Sequence, residues 1–371
     1  MKILITGANG FIGKNLIVEL CNQGYTDLLE YDINTNPALL DEYTQKCEFV
    51  FHLAGVNRPE NKEEFMLGNF GFTSLLLDSL KKHNNQSPVL ITSSIQAKLD
   101  NDYGKSKKAS ENLLFQYSQE TNVPVFIYQL PNVFGKWCRP NYNSAVATFC
   151  NNIANNLSIQ VSNPDAEMNL VYIDDVVDSF IKKAKGEGRK AKGEKFESVT
   201  PVYTIKLGEI ANLIRQFIES RDNLHVPDMG DAFTKKLYAT YLSYLPEDSF
   251  SYPLKMNIDD RGSFTEFLKL PDRGQISINI SKPYITKGNH WHHTKNEKFL
   301  VVKGNGVIRF RKIDSDKIIE YFVSGDKLEV VDIPIGYIHN IENLGDTDMV
   351  TIMWANELFD KDKPDTFFRK V

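Results

Sequence analysis

Residues 286–304 read TKGNHWHHTKNEKFLVVKG. His290 and His292 stand two positions apart, and side chains alternate along a strand, so both point to the same face of a predicted strand. Glu297 follows four residues after His293. The run FLVV then predicts an apolar strand that stops at Gly304. The stretch therefore predicts a hairpin-like pair of strands that carries two imidazoles and a carboxylate.

A second stretch, residues 334–343, reads PIGYIHNIEN and predicts a tight turn followed by a strand headed by His339. Three imidazoles and one carboxylate could then converge inside a small β-barrel. This ligand set suits zinc, iron, nickel or manganese, and the alternative is a set of ordinary polar residues that line a barrel. The predicted metal ligands are His290, His292, Glu297 and His339.

The spacing of these residues resembles the two motifs of the cupin family: HxH, four residues, Glu, six residues, Gly, and later PxGxxH. The resemblance implies an all-β cupin barrel that binds a divalent metal, taken as Zn²⁺. Short strands, turns and glycines without helical periodicity follow a composition change near residue 246, as an all-β domain requires. We therefore expect a cupin domain at residues 246–371.

The N-terminus, MKILITGANGFIG, predicts a strand, a turn and a helix. Gly7, Gly10 and Gly13 form a GxxGxxG pattern in which two glycines allow backbone N–H groups to approach a pyrophosphate and the third allows close helix packing. A second strand ends at Asp32, where a carboxylate can bind a ribose 2′-hydroxyl. The N-terminal part of the chain is predicted to bind a dinucleotide.

Strands and helices continue to alternate, with FVFHLAG and SPVLITSS as further predicted strands, which indicates a doubly wound parallel α/β sheet over residues 1–245. Tyr103 and Lys107 form YxxxK and share one face of a predicted helix. The lysine is expected to lower the pKa of the phenol, so that the tyrosine passes a proton to a carbonyl as hydride arrives. Ser94, preferred over Ser93, would hold the carbonyl oxygen.

These features resemble the extended short-chain dehydrogenase/reductase (SDR) family, with a Rossmann-like fold, and the resemblance extends through HLAG at 52–55, PNVFG at 131–135 and YIDDVV at 172–177. It implies a catalytic set of Tyr103, Lys107 and Ser94. Asn132 and Arg139 lie where such enzymes hold a nucleotide-sugar, although a solvated surface arginine is equally compatible with the sequence. The implied coenzyme-binding residues are Gly7, Gly10, Phe11, Ile12, Gly13, Asp32, Leu53, Ala54, Gly55, Tyr103 and Lys107.

The segment DDRGSFTEFLK at 259–269 resembles the sugar-nucleotide 3,5-epimerases of the cupin superfamily. The resemblance implies that Arg261 and Glu266 contact the substrate nucleotide and that His290 is the epimerising base. A histidine cannot readily be both a metal ligand and a free base. Either the ion polarises the sugar carbonyl or it is structural, and Tyr337 and Lys303 are then candidate bases by position.

The whole chain resembles the bifunctional reductase/epimerases of bacterial capsule and O-antigen synthesis, through HLAGVNRPE, FGKWCRPNYNS and GNHWHHTKNEKFLVV. The resemblance implies C3 epimerisation and C4 reduction of a UDP-linked 4-keto amino sugar, UDP-2-acetamido-2,6-dideoxy-hexos-4-ulose, with NADPH, zinc and a homodimer. Asp32 favours NADH instead, because no arginine follows it to hold a 2′-phosphate. The alternatives are a reductase whose cupin is a metal-stabilised binding or dimerisation module, and a nucleotide-binding regulator without catalysis.

The chain has 371 residues, a net charge of −5 and a pI near 5.9, which indicates no general affinity for nucleic acid or anionic membranes. Its four cysteines lack metal-site spacing, and no apolar run is long enough to insert into a membrane. These features predict a cytoplasmic protein. The lysine-rich residues 182–195 are expected to form a surface loop.

Overall fold

A computed structural model of the chain describes residues 1–187, 196–360 and 362–371. It divides into two compact units. The first contains residues 1–215 and 230–246, and the second contains residues 216–229 and 247–371.

The first unit is built on a parallel six-stranded sheet with the order β2-β1-β3-β4-β5-β8. Its strands are β1 (Ile3–Thr6), β2 (Leu28–Tyr31), β3 (Phe49–His52), β4 (Val89–Ser94), β5 (Val125–Leu130) and β8 (Phe196–Glu197). A small second sheet joins β6 (Asn132–Phe134), β7 (Glu167–Tyr172) and β9 (Tyr203–Lys206). The strand order reverses between β1 and β3, and ligands of doubly wound sheets bind at such a reversal.

Helices cover both faces of this sheet because alternate residues of each strand point to opposite sides. Ile3 and Ile5 of β1 pack with one apolar cluster, and Leu4 packs with another on the other face. The α-helices in the described part of the chain are α1 (Phe11–Asn22), α2 (Ala38–Lys46), α3 (Glu63–Phe65), α4 (Phe72–Lys82), α5 (Asp102–Thr121), α6 (Ala145–Ala154), α7 (Ile173–Ala184), α8 (Leu207–Asn223) and α9 (Ala232–Leu242). A π-helical segment, Met66–Gly71, connects α3 to α4.

The prediction of a Rossmann-like parallel α/β sheet is confirmed, with small differences at element ends. The third strand ends at His52 rather than at Gly55, so HLAG supplies the turn that follows the strand. The lysine-rich segment is only partly described: residues 182–184 complete α7 rather than begin a loop, and residues 188–195 lie outside the described part of the chain.

The second unit contains two antiparallel sheets, with the orders β10-β11-β12-β19-β14-β17 and β16-β15-β18-β13-β20. An apolar cluster that includes Phe299, Ile308, Phe310 and Ile341 packs between strands of both sheets. The expected antiparallel β-domain is confirmed. The strands are β10 (Met256–Asp259), β11 (Gly262–Leu270), β12 (Gly274–Ser281), β13 (Thr286–Trp291), β14 (Glu297–Lys303), β15 (Asn305–Lys312), β16 (Ile318–Ser324), β17 (Val330–Ile333), β18 (Tyr337–Asn343), β19 (Met349–Ala355) and β20 (Phe367–Phe368).

Candidate active sites

The glycine turn after β1 has a conformation and a packing that only glycine allows. Gly7 has a φ of +70°, and a Cβ atom on it would lie 2.6 Å from the backbone nitrogen of Ala54. A Cβ atom on Gly13 would lie 2.2 Å from the carbonyl oxygen of Gly7, so this glycine lets α1 pack against the turn. The backbone at the start of α1 is therefore open to an incoming diphosphate.

Asp32 is fixed beside this turn by backbone N–H donors. Its Oδ2 atom accepts a hydrogen bond from the backbone of Asn9 at 2.7 Å, and its Oδ1 atom accepts one from Ile33 at 2.8 Å. Each carboxylate oxygen can still accept another hydrogen bond. Ile33 follows Asp32 with its side chain 91% exposed, and it carries no charge to pair with a phosphate.

A single cleft of about 1410 Å³ in the first unit brings together all the residues predicted for coenzyme binding, reduction and nucleotide-sugar binding in this domain. It extends from the glycine turn across the carboxyl ends of β1, β3 and β4. The predicted residues that line it are Gly7, Gly10, Phe11, Ile12, Gly13, Asp32, Leu53, Ala54, Gly55, Ser94, Tyr103, Lys107, Asn132 and Arg139.

Tyr103 lies in the first turn of α5, where Phe65 packs edge-on against its ring with 5.7 Å between centroids. Burial raises the pKa of the Tyr103 phenol, and a hydrogen bond with Ser94 opposes that rise. The sequence led us to expect a lowered pKa for Tyr103, but its net pKa is raised because burial dominates. Ser93 donates its hydroxyl hydrogen to Glu111 at 2.6 Å, which leaves Ser94 as the serine that reaches the phenol.

Lys107 is buried one helical turn after Tyr103 and donates to the backbone carbonyl of Thr92 at 3.1 Å. Burial lowers the pKa of its ammonium to about 8, against the opposing charge of Glu111. A Cβ atom on Gly55 would lie 3.1 Å from Lys107 Nζ, so the glycine after β3 leaves room for this ammonium. Lys107 therefore carries its positive charge into the cleft at neutral pH.

Glu111 does not line the cleft but contacts Ser93 beside it, and sequence reasoning missed this contact. It is fully buried, and its Oε1 atom accepts hydrogen bonds from the Ser93 hydroxyl and from Gln129 Nε2 at 2.9 Å. The sequence did carry a signal for Glu111. It lies four residues after Lys107, and residues four apart share one face of a helix.

Arg139 and Asn132 lie at the other end of the cleft. The Arg139 guanidinium stacks on the ring of Tyr142 with 5.2 Å between the guanidinium carbon and the ring centroid. Asn132 is exposed at the start of β6, and its amide donates weakly to the carbonyl of Asn169 at 3.5 Å. Both side chains can therefore turn toward a ligand without breaking a strong internal contact.

In the second unit, His290, His292, Glu297 and His339 converge with all their potential ligand atoms within 4.8 Å of one another. His290 lies near the end of β13 and His292 directly follows that strand, while Glu297 begins β14 and His339 lies in β18. The Nε2 atoms of His292 and His339 each lie 3.3 Å from Glu297 Oε2. A register shift between Gly288 and His290 interrupts the pairing of β13 with β18 immediately before the cluster.

The protonation states of this cluster suit a cation. Burial and the neighbouring His339 lower the pKa of His290 to about 3, so its imidazole is neutral at physiological pH. Burial would raise the pKa of Glu297, but the two adjacent imidazoles, His292 and His339, and the Lys295 ammonium hold it well below its usual range. His339 is 1% exposed, and within the described part of the chain its Nδ1 atom has no hydrogen-bond partner. The neutral His290 imidazole, the Glu297 carboxylate and the buried, unpartnered Nδ1 of His339 fit a bound zinc ion.

Asp365 is a second residue that the sequence reading missed. Its backbone carbonyl accepts a hydrogen bond from His292 Nδ1. Its carboxylate accepts from the backbone of His293, Thr294 and Lys295 at 2.7–2.9 Å, and these bonds outweigh burial and lower its pKa. No local pattern marks this residue, because 73 positions separate it from His292.

The predicted nucleotide contacts of the second unit make local ion pairs. Arg261 pairs with Asp259 at 2.5 Å, and Glu266 pairs with Lys269 at 2.9 Å. Of the two candidate bases, Tyr337 is half-buried against the apolar cluster and Lys303 is exposed at the end of β14. None of these side chains is one of the four that converge.

A parallel sheet with a glycine turn at its reversal point, and a Ser-Tyr-Lys set in the adjoining cleft, define a nicotinamide-dependent enzyme of the short-chain dehydrogenase class. Family models agree with this class. Residues 3–197 match the NAD dependent epimerase/dehydratase family, and residues 257–367 match the polysaccharide biosynthesis C-terminal domain. The chain belongs to the NAD dependent epimerase/dehydratase family.

A relative from Pseudomonas aeruginosa, UDP-2-acetamido-2,6-beta-L-arabino-hexul-4-ose reductase, is 47% identical over 367 residues, which cover 99% of this chain and 98% of the relative. The crystal structure of the capsular polysaccharide assembling protein CapF from Staphylococcus aureus is 55% identical, with a TM-score of 0.94 and full coverage of both chains. A structure of CapF with the inhibitor 3-isopropenyl-tropolone has a TM-score of 0.90 at 51% identity, again over both full chains. Among the described residues, no helix is long and apolar enough to cross a membrane.

Proposed function

We propose that this protein is a bifunctional nucleotide-sugar enzyme. Residues 1–245 would reduce the C4 carbonyl of UDP-2-acetamido-2,6-dideoxy-hexos-4-ulose, and residues 246–371, a closed cupin barrel, would epimerise C3 of the same sugar. The product is UDP-2-acetamido-2,6-dideoxy-L-talose, on the route to UDP-N-acetyl-L-fucosamine. The observation that carries this proposal is the cleft in which Ser94, Tyr103 and Lys107 meet the glycine turn. The Pseudomonas relative, named for reduction of such a sugar, supports the substrate.

In the reduction, Tyr103 would donate its phenolic proton to the carbonyl oxygen at C4, and a bound nicotinamide coenzyme would supply the hydride. The high pKa of the buried phenol keeps that proton on Tyr103 until charge develops on the oxygen. Ser94 hydrogen-bonds to the same phenol and can also donate to the carbonyl oxygen. The Lys107 ammonium then stabilises the phenolate that remains, which must recover a proton from solvent before the next cycle.

The coenzyme is NADPH by resemblance, and NADH is the alternative that Asp32 favours. Two backbone N–H groups hold the Asp32 carboxylate in place. There it can accept a hydrogen bond from a ribose 2′-hydroxyl, and it would repel a 2′-phosphate. Initial rates with the two coenzymes at equal concentration distinguish them. An Asp32→Ser variant should shift the ratio of rates toward NADPH, and an unchanged ratio would show that Asp32 does not set the preference.

Epimerisation requires removal of the C3 proton, which is acidic because the adjacent C4 carbonyl stabilises the enolate, and return of a proton to the opposite face. We propose that His290, His292, Glu297 and His339 hold a zinc ion, or another divalent metal, beside the sugar. A bound zinc ion would act as a Lewis acid toward the carbonyl. Arg261 and Glu266 would contact the nucleotide after leaving their local ion pairs.

A second candidate is a C4 reductase whose cupin is a metal-stabilised binding or dimerisation module. It is favoured by the four protein ligands and by the deep burial of His292 and His339, since structural zinc sites are closed in this way. Chelation separates the two functions. Loss of C3 exchange upon chelation supports a catalytic metal, whereas loss of stability with normal reduction of an already epimerised substrate supports the structural one.

We also propose a homodimer in the cytoplasm. The second unit exposes several large apolar side chains that a partner subunit could cover, namely Ile258, Phe264, Phe267, Ile318, Tyr321 and Phe322. The four cysteines are free thiols, as in a reducing compartment. Sedimentation of the purified protein tests the dimer, and a monomer at micromolar concentration would contradict it.

Incubation with the UDP-linked 4-keto sugar in deuterated water, followed by NMR, tests the main proposal. Deuterium should enter C3 without coenzyme, and reduced sugar should form only after NADPH or NADH is added. Absence of C3 exchange with metal present would remove the epimerase activity and leave the reductase. Absence of reduction with both coenzymes would refute the assignment of the cleft.

A further inference from the structure

The C-terminal segment, residues 365–371, lies along the strand that carries His290. Phe367 and Phe368 of β20 pair with β13 at Trp291 and His290. Further bonds hold the segment in place: Arg369 donates its backbone N–H to the carbonyl of Asn289 at 2.9 Å. The end of the chain is thus attached by several hydrogen bonds to the strand that carries His290.

Asp365 begins this segment and contacts the turn between His292 and Glu297. Its carboxylate accepts hydrogen bonds from three successive backbone N–H groups, those of His293, Thr294 and Lys295. It also accepts the Thr294 hydroxyl hydrogen at 3.0 Å. Three donors from consecutive residues on one carboxylate determine the course of the turn, because moving any of them leaves an unsatisfied group.

The backbone carbonyl of Asp365 acts on His292 directly. It accepts the hydrogen bond of Nδ1, so Nδ1 carries a proton and Nε2 is the ring nitrogen that remains to bind an ion. Nε2 is the atom that lies 3.3 Å from Glu297 Oε2, on the side where the four ligands converge. A hydrogen bond of this kind fixes both the tautomer and the orientation of a metal-binding imidazole.

From this geometry we infer that Asp365 is the positioning residue of the metal site. Its carboxylate holds the turn that spaces His292 from Glu297, and its carbonyl orients His292 for the ion. The C-terminal segment is then part of the metal site, although it provides no ligand. This inference rests on the proposed metal-binding function of the four converging residues.

The test is metal affinity, measured by competition with a chromophoric chelator for Zn²⁺, on the full-length protein. Asp365→Ala should weaken zinc binding by about 10- to 100-fold, the usual effect of losing such a supporting contact. Asp365→Asn, which keeps one carbonyl oxygen and the size of the side chain, should bind with intermediate affinity. Asp346→Ala, at an exposed acid in another loop of the same unit, is the matched control and should bind as the wild type does.

Replacing Zn²⁺ by Co²⁺ gives a spectroscopic measurement of the metal geometry, which a general loss of protein stability would not change. The visible absorption bands of Co²⁺ depend on the geometry of its ligands, so Asp365→Ala should change their positions or intensity at saturating metal, and Asp346→Ala should not. A variant that ends at residue 364 lacks both the carboxylate and the carbonyl and should bind zinc more weakly than Asp365→Ala.

The outcomes separate this inference from the proposed function. Wild-type affinity and unchanged cobalt spectra in both Asp365→Ala and the shortened chain would overturn the role of Asp365 and leave the metal site standing. A wild-type protein that binds neither Zn²⁺ nor Co²⁺ would overturn the metal site and this inference together.

Discussion

Replacing Lys107 by methionine should separate two effects of its buried charge: the loss of folding stability and the contribution to catalysis. The Lys107 side chain lies in a buried position with one hydrogen bond, to the Thr92 carbonyl, and burial lowers its pKa from 10.5 to about 8. Methionine has a similar length and no charge. The variant should lose reduction of the 4-keto sugar while the second unit keeps C3 exchange.

The size of the effect on stability follows from the pKa. Unfolded Lys107 keeps its proton up to about pH 10.5 and folded Lys107 only up to about pH 8, so the unfolded chain binds more protons between these values. Stability must then rise with pH across this window, and below pH 8 the fold carries the full cost of the buried charge, about 3 kcal/mol. Between pH 8 and 9.5 the wild type should gain about 2 kcal/mol relative to Lys107→Met.

Urea unfolding at pH 7, 8 and 9.5 measures this difference. Trp137 is in the first unit, so its fluorescence reports that unit if Trp291 and Trp354 are replaced by phenylalanine in both proteins. Packing changes caused by methionine shift the free energy of unfolding by the same amount at every pH, so they cancel when the pH dependences are compared. Parallel pH dependences for the two proteins would refute a depressed pKa for Lys107 and, with it, this account of the charge in the cleft.

Three other predictions address the two sites separately. Tyr103→Phe should slow reduction by about 10²- to 10⁴-fold, the usual contribution of a positioned acid, and leave deuterium exchange at C3 unchanged; parallel losses of both would contradict separate sites. Glu297→Gln should weaken zinc binding, seen by chelator competition, and abolish C3 exchange without affecting reduction of an epimerised substrate. Gly13→Ala should weaken coenzyme binding in a fluorescence titration and cost about 1–3 kcal/mol of stability, because its Cβ would lie 2.2 Å from a carbonyl oxygen, whereas Gly71→Ala, with its nearest neighbour at 3.7 Å, should bind normally.

Sequence reasoning chose residues that line one cleft because the elements of a doubly wound sheet follow chain order. Each strand is followed by a turn at the same edge of the sheet, so the residues after β1, β3 and β4 must meet there. Tyr103 and Lys107 join them because one helix presents both. The same reasoning misjudged the pKa of Tyr103, since burial depends on neighbours such as Phe65 that no spacing reveals.

The sequence by itself predicted a parallel α/β unit, an antiparallel β unit and the residues that the structure brings together in each candidate site, because glycine spacing, strand alternation and YxxxK are local patterns with local physical causes. Only the tertiary structure decided which groups support those residues. The buried Glu111 of α5 accepts the hydroxyl hydrogen of Ser93 in β4, and Asp365 reaches His292 from near the end of the chain. Such contacts depend on how distant segments pack, and the packing is a property of the whole fold rather than of any stretch of the sequence.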